Sequence, residues 1–315
     1  MNWKGFWIGW RRDIVRVLGV CAAALVLGLM INRLMAGART QLAAILPKGI
    51  AGLPREVAGL TGALDEDLLA GNRTTGDSWT YHARLAPGRS VWIRDVNGSV
   101  SVDPARGDSL EVTAVKTFRQ YDPTAVRLTA VPEPDGIVIC ALWDVAARCS
   151  SGDAYKDRYA RHSDVAVRFT VRVPRGVQID VTTVNGAVRI AGASAPASAR
   201  TVSGEVSVET SRGPVNALSV NGAVRAALRG LADTGAVKLA TVNGAVTLEL
   251  PARVDATVSA RTVHGAIESD FPLDVSGQTV VRHASGTIGS GGRRVELTSV
   301  NGSVRLRKAA PPSPR

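Results

Sequence analysis

Aromatic and reactive side chains are scarce in this chain. Its 315 residues include six Trp, four Tyr and four Phe, and residues 176–308 contain a single aromatic, Phe271. There are only four His and three Cys, and no Ser/His/Asp set, carboxylate pair or activated Cys has a spacing that demands catalysis. The sequence therefore favours a protein that is not an enzyme and uses no cofactor.

The histidines and one glycine-rich segment are weak candidates for chemistry. His82, His162, His264 and His283 are interpreted as surface residues, because no set of them has the spacing of metal ligands. Gly286–Gly292 superficially resembles a phosphate-binding loop, but it lacks the Lys-Ser/Thr pair and a following helix. No metal or phosphate site is predicted.

Positive charge is concentrated at the N-terminus. The net charge is +11, and residues 1–55 hold eight basic residues and one acidic residue. Four aromatics fall within the first ten residues, before the apolar run Val17–Ile31. Trp and Lys/Arg beside an apolar run are typical of a membrane boundary, whereas a nucleic-acid binder places charge and aromatics on its folded face. We therefore expect a membrane partner and no nucleic acid.

Residues 1–38 are predicted to form a basic N-terminus and a transmembrane signal-anchor helix. The uninterrupted run is short for a hydrocarbon core of about 30 Å, but the stretch Ile14–Ala38 is long enough. The alternative is a signal peptide that is cleaved near Ala38. In either case the rest of the chain is exported, to the periplasm or the cell surface. Residues 39–78 are interpreted as a spacer.

A six-residue unit, Thr/Ser-Val-Asn-Gly-small-Val, recurs from residue 95 to residue 304. Alternating apolar and polar side chains flank the copies, which indicates strands with one buried face. Asn-Gly supplies the positive φ angles that a tight turn demands. The predicted turn residues are Asn97, Gly98, Asn185, Gly186, Gly204, Asn221, Gly222, Asn243, Gly244, Gly265, Gly286, Asn301 and Gly302.

Two all-β architectures fit this repeat. In a β-solenoid, each unit of about 20 residues is one rung and identical residues stack in columns. In an antiparallel β-meander, each Asn-Gly closes a hairpin. Repetition of the Val beside the turn favours the solenoid. The predicted organisation is an N-terminal β capping portion (79–175), the solenoid repeats (176–308) and a disordered tail (309–315).

A family resemblance rests on the stretch Val165–Gly186 (VAVRFTVRVPRGVQIDVTTVNG) and the Val-Asn-Gly units after it. Together they resemble the bacterial candidate-adhesin family of β-strand-repeat domains, and Ser269–Asp274 and Gly286–Gly292 are similar to the closing portion of such domains. The resemblance spans about residues 90–308. It implies a β-solenoid-like fold on an exported or membrane-anchored protein, a non-enzymatic role and no catalytic residues. His264 and residues 283–286 depart from the motif.

The cysteines suggest one covalent link. Cys140 and Cys149 close a short loop, and in an exported domain such a pair predicts a disulfide, with two free thiols as the alternative. Cys21 lies in the apolar run and is interpreted as a small hydrophobic residue.

The outward-facing positions of the repeat suggest how the protein binds. They carry both charge signs and almost no exposed aromatic: Arg189, Arg225, Thr247, Glu268 and Arg305. This pattern favours a non-catalytic adhesion or binding module of the cell envelope, in polar and partly electrostatic contact with an envelope polymer or a protein. The alternative is a structural or sensory envelope-stress protein that acts through a membrane or regulatory partner.

Overall fold

The computed structural model describes residues 74–309, with gaps at 121, 145–146, 153–163, 212, 233–234 and 277–280. The predicted membrane segment, most of the spacer, His162 and residues 310–315 lie outside the described residues. The chain divides into two compact units, and all described residues belong to the second, Leu69–Arg315. Among them, no helix has the length and apolar character needed to cross a membrane.

The described residues form β-strands, joined by loops and one short 3-10 turn, Pro123–Ala125. The strands are β1 (Thr74–Arg84), β2 (Ser90–Arg94), β3 (Val100–Pro104), β4 (Ser109–Phe118), β5 (Arg127–Glu133), β6 (Gly136–Leu142), β7 (Ala166–Val173), β8 (Gln178–Thr182), β9 (Val188–Ala193), β10 (Ala197–Ser203), β11 (Val206–Thr210), β12 (Val215–Asn221), β13 (Val224–Leu228), β14 (Ala236–Asn243), β15 (Val246–Leu250), β16 (Ala256–His264), β17 (Ile267–Ser269), β18 (Asp274–Ser276), β19 (Arg282–Ile288), β20 (Arg294–Asn301) and β21 (Val304–Lys308).

Two sheets are built from these strands. Sheet A has ten strands in the order β1-β4-β7-β3-β9-β11-β13-β15-β21-β17. Sheet B has eleven strands in the order β18-β19-β16-β20-β14-β12-β10-β8-β2-β6-β5. Each rung contributes one strand to each sheet, for example β12 to sheet B and β13 to sheet A, with the Asn-Gly corner between them.

Neighbouring rungs pair in parallel and in register. In sheet B, Ala217 lies between Ala199 and Leu239, and in sheet A, Ala226 lies between Val208 and Leu248. Parallel pairing excludes the antiparallel meander for the rungs. The all-β, solenoid-like prediction is confirmed.

The rungs do not stack in chain order. The last rung, β20 and β21, inserts between the β14/β15 rung and the β16/β17 rung. At the other end, the β2/β3 rung lies between the β6/β7 rung and the β8/β9 rung. Both ends of the solenoid are therefore closed by chain segments that return from elsewhere in the sequence.

Antiparallel strands cover both ends of the parallel stack. β4 and then β1 extend sheet A beyond β7, and β5 extends sheet B beyond β6. At the opposite end, β19 and β18 extend sheet B beyond β16. Such strands give the terminal rungs a partner and reduce the free edge that could pair with another chain.

One of the predicted turn residues, Gly286, is not in a turn. Gly286 lies inside β19, opposite Val258 of β16, and not at a corner. The prediction is wrong because residues 282–288 form a closing antiparallel strand, although their sequence resembles a degenerate copy of the repeat.

The core lies between the two sheets. Inward positions alternate along each strand with outward ones and are filled mainly by Val, Ile, Leu and Ala; β8, for example, buries Ile179 and Val181. The inward side chains of both sheets form one continuous cluster, which extends from Leu110 of β4 near one end of the stack to Phe271 near the other. Because every rung contributes to this cluster, the outer faces of the sheets are held on a rigid support.

Candidate functional site: a corner column and a groove on one outer face

Glycine occupies the corner of each rung because the rungs approach closely there. At Gly186 and Gly222, φ lies outside the left-handed region. A Cβ atom at these positions would collide with the carbonyl oxygens of Gly98 and Gly204 in the neighbouring rung. The prediction that these two glycines adopt a positive φ is therefore wrong. Glycine is required at both positions because the main chains of neighbouring rungs lie too close together to leave room for a Cβ atom.

A column of buried hydroxyls runs beside the glycines. Each hydroxyl donates to the carbonyl of the glycine in the neighbouring rung, at donor–acceptor distances of 2.8–3.4 Å. The donors are Thr183, Thr201, Ser219, Thr241, Thr262 and Ser299. The Thr/Ser of the repeated unit therefore satisfies a carbonyl at each corner.

The asparagines of the unit form part of a third column. Nδ2 of Asn243 donates to Oδ1 of Asn221 at 2.7 Å, and Nδ2 of Asn301 donates to Oδ1 of Asn243 at 2.8 Å. At the first corner, Nδ2 of Asn97 donates to the Val165 carbonyl at 2.9 Å. His264 takes the asparagine position opposite Asn301. These contacts join rungs and give the asparagines a structural role.

Asp95 occupies the hydroxyl column in the β2/β3 rung. It is fully buried, and neither carboxyl oxygen has a hydrogen bond of normal geometry with a described residue. Burial raises the pKa of Asp95 to about 7, although the Val96 and Asn97 amides and the Thr183 hydroxyl act to lower it. By register, the neighbouring carbonyl is that of Val167. A protonated Asp95 can donate to that oxygen as a threonine would, whereas a carboxylate cannot.

Arg94, the residue before Asp95, lies on the outer side of the same rung. It is 4% exposed, and its Nη1 donates to Oδ1 of Asp180 at 2.7 Å. Its Nη2 donates to the Ser151 carbonyl at 2.7 Å. Arg200 Nη1 lies 3.6 Å from the other Asp180 oxygen. Ser151 belongs to the loop that follows β6, so this loop contacts the ion-pair cluster.

That loop is tied down by a disulfide. In the structure, the Sγ atoms of Cys140 and Cys149 are bonded at 2.05 Å. Cys140, Val138 and Leu142 form a small apolar cluster on the outer face of sheet B, and Trp92 packs against it. The loop therefore rests on the end of sheet B where Trp92 lies.

A groove of about 500 Å³ crosses the outer face of sheet B. Its floor is one straight column with one side chain from each of β2, β8, β10, β12 and β14: Trp92, Asp180, Ser198, Asn216 and Lys238. One wall contains Ser90, Gln178, Pro196, Pro214 and Ala236. A smaller cleft of about 340 Å³, near Pro104, Pro174 and Gly192, is more apolar.

The polar side chains of the groove differ in whether they already have an ion-pair or hydrogen-bond partner within the protein. Asp180 is paired with two arginines, and Lys238 Nζ lies 3.6 Å from Oε2 of Glu296. The Ser198 hydroxyl has no hydrogen-bond partner among the described residues. Each charged group at the groove thus lies within 4 Å of an opposite charge of the protein, and the Ser198 hydroxyl oxygen is buried beneath the floor.

The outward residues predicted from the sequence lie on the other face. The register of sheet A places Arg189, Arg225, Thr247, Arg305 and Glu268 in a single column. Its arginines are paired: Arg189 Nη1 lies 3.0 Å from Asp103, Arg225 contacts Glu205, and Arg305 Nε lies 3.4 Å from Glu268. This face therefore presents exposed ion pairs, whose charges a partner can still reach.

Sequence reasoning missed the groove, because it counted almost no exposed aromatic. Trp92 alternates with the buried Val91 and Ile93 in β2, so it points outward. The sequence did contain one indication of this site, namely a Trp at an outward position of a strand whose apolar and polar residues alternate. The column itself could not be found without the register.

A comparison with protein families places this architecture. Residues 138–307 match the profile of the Toastrack DUF4097 family, which covers more than half of the chain. The chain belongs to this family. The matched segment of this Toastrack protein begins in β6 and ends in β21, and so includes the rungs of the parallel stack other than β2/β3.

Solved structures provide further likenesses. One is a candidate cell adhesion protein from Clostridium sporogenes, with 8% identity, a TM-score of 0.41, and coverage of 74% of this chain and 100% of that chain. Another is a candidate adhesin from Bacteroides fragilis, with 10% identity, a TM-score of 0.31, and coverage of 74% and 97%. A search of curated proteins gave no match.

Proposed function

We propose that this Toastrack protein is a non-catalytic, adhesion-type binding module of the cell envelope, displayed outside the cytoplasm on its N-terminal membrane segment. The observation that carries the proposal is the groove on sheet B. Five side chains from five strands line one floor, and the continuous core beneath them holds that floor rigid. A preformed groove whose charged groups already have partners in the protein suits binding of an envelope component.

The two outer faces predict different responses to salt. If the arginine column of sheet A makes the contact, retention on envelope material falls toward 1 M salt, where the screening length is about 3 Å. If the groove of sheet B makes it, retention persists, because the contacts are then with the Trp92 ring and the Asn216 carboxamide, and the Arg94–Asp180 pair beside them is largely buried.

The test is retention of the full-length protein, kept in detergent, on envelope material from which the membrane has been extracted, at low salt and at 1 M NaCl, so that the N-terminal segment cannot itself cause retention. We expect retention at low salt, and we expect the protein in cells to stay with membranes after a high-salt wash. Failure to bind envelope material at low salt, together with an altered envelope-stress response on gene deletion, contradicts adhesion and favours the sensory alternative. N-terminal sequencing that finds Arg39 first contradicts the anchor and establishes cleavage.

A further inference from the structure

The floor of the groove is a ladder with a regular spacing. Trp92, Asp180, Ser198, Asn216 and Lys238 are Cα partners in successive parallel pairs. Four steps of the spacing between strands give a length of roughly 19 Å. A ligand that lies along this column must be extended, and it meets one outward side chain at each step.

Charge disfavours a nucleic acid or a highly charged polymer as that ligand. The Asp180 carboxylate is paired with Arg94 at 2.7 Å and with Arg200 at 3.6 Å, and Lys238 faces Glu296, so each of these cations already has a carboxylate partner in the protein. Phosphate-backbone binding requires several unpaired cations along the strand. The Asn216 carboxamide, which lines the groove, is a neutral group that remains for a ligand, whereas the Ser198 hydroxyl oxygen is buried.

An extended peptide is also a poor fit. Peptides that bind to sheets add a strand at an edge and use main-chain hydrogen bonds. Strands β8, β10 and β12 lie inside sheet B and are paired on both sides. The groove runs across these strands and offers side chains only, so it has no ladder of main-chain groups to share with a peptide.

A sugar chain fits the remaining features. Trp92 stands at one end of the column, with part of its ring packed on the apolar cluster around Val138 and part lining the groove. An aromatic ring stacks on the apolar face of a pyranose ring. Neighbouring amide and hydroxyl groups of the protein form hydrogen bonds with the hydroxyls of the sugar. A pyranose ring in an extended β-linked chain advances by about as much as one rung.

We propose that the groove of sheet B binds a linear, neutral, β-linked glycan, with one ring stacked on Trp92 and successive rings over Asp180, Ser198, Asn216 and Lys238. This inference rests on the proposed function and names its ligand class. By the spacing of the rungs, the groove accommodates about five rings, one at each residue of the column.

The experiment is calorimetric titration of the full-length protein, in a detergent without a sugar headgroup, with chitohexaose, cellohexaose and maltohexaose. We expect at least one of the two β-linked hexaoses to bind with a sub-millimolar Kd and to bind at least tenfold more tightly than its monosaccharide. The α-linked maltohexaose, which curves away from a straight ladder, should bind at least tenfold more weakly.

Two matched variants locate the site. Asn216→Trp fills the groove from an outward position and should weaken hexaose binding at least tenfold. Ala227→Trp introduces the same ring at an outward position of β13 on sheet A and should bind as the parent does. Comparable melting temperatures for both variants show that a loss of binding is not a loss of folding.

Specific results overturn the inference. If neither β-linked hexaose binds at millimolar concentration, or if Asn216→Trp binds a hexaose as tightly as the parent, the glycan assignment is wrong. If the parent is still retained on cell envelopes, that outcome leaves the proposed function standing. If retention also fails, both fall together.

Discussion

The β2/β3 rung and the rungs at the middle of the stack share one corner geometry but fill it differently. In the middle, Thr201, Ser219 and Thr241 each donate a hydroxyl to a glycine carbonyl of the next rung. In the β2/β3 rung, the same position holds Asp95, a buried acid that must carry a proton to do the same. The middle of the stack is uniform, and the exceptions gather at one end.

That end also carries the other unusual features. The buried Arg94, the Cys140–Cys149 disulfide and Trp92 all lie in or beside the β2/β3 rung. Repetition in the middle supplies a core and a straight column of outward side chains. The comparison of these two regions shows that the repeated residues build the scaffold. The residues that depart from the repeat are concentrated at the end of the stack that contains the β2/β3 rung.

The largest expected effect on stability comes from a substitution at a corner glycine in the uniform middle of the stack. Gly222→Ala places a Cβ against the Gly204 carbonyl of the neighbouring rung, and a main-chain atom cannot move aside without separating the rungs. We expect a loss of at least about 3 kcal/mol in the free energy of unfolding, measured by denaturant titration.

The matched control is Gly88→Ala. Gly88 has a φ of +86°, and nothing lies within 4 Å of an added Cβ, so only backbone strain of about 1–2 kcal/mol applies. A loss at Gly88 that equals or exceeds the loss at Gly222 would show that close stacking is not what requires the corner glycines.

The second prediction concerns Asp95, the residue that makes the β2/β3 rung differ from the rungs in the middle of the stack. Because the pKa of Asp95 is about 7 in the folded state and ordinarily 3.8, the folded chain holds this proton more tightly than the unfolded chain. The contribution of Asp95 to stability is therefore present below about pH 4, is lost as the pH rises to about 7, and is constant above that. The total loss is on the order of 4 kcal/mol.

Asp95→Thr should remove this dependence. At pH 8 the variant should be about 2–4 kcal/mol more stable than the parent, and the advantage should shrink toward pH 4. Asp103→Thr, at a partly exposed carboxylate paired with Arg189, is the control and should change stability little. Parallel stability curves for the parent and Asp95→Thr between pH 4 and 8 would contradict the role assigned to the buried acid.

The smallest effect concerns the disulfide at the specialised end. Replacing both Cys140 and Cys149 by Ala should reduce stability by about 2–3 kcal/mol through the entropy of the short loop. Cys21→Ala should not change the stability of the β domain. Mass spectrometry of the non-reduced exported protein should show the linked peptide, and two freely alkylated thiols under denaturing conditions would refute the link.

Local features were predictable because they depend on neighbours in the chain. Alternation in segments such as Gln178–Thr182 predicted strands with one buried face, and the Val-Asn-Gly unit marked the corners. Gly286 was assigned wrongly, because a similar local pattern occurs in a closing strand. Asp95 was visible as an acid in a Thr/Ser position, but its burial follows only from the packed rung.

By itself, the sequence determined the all-β class, the repeated rung and the side of each strand that is buried, since alternation and corner residues act over a few positions. Only the tertiary structure decided that β20/β21 inserts before β16/β17 and that β2/β3 lies inside β6/β7. Every rung presents nearly the same Val, Thr and Gly columns to its neighbours, so local matching cannot specify the order. The order, and with it the column from Trp92 to Lys238, is set by contacts between distant segments and by the antiparallel strands that close each end.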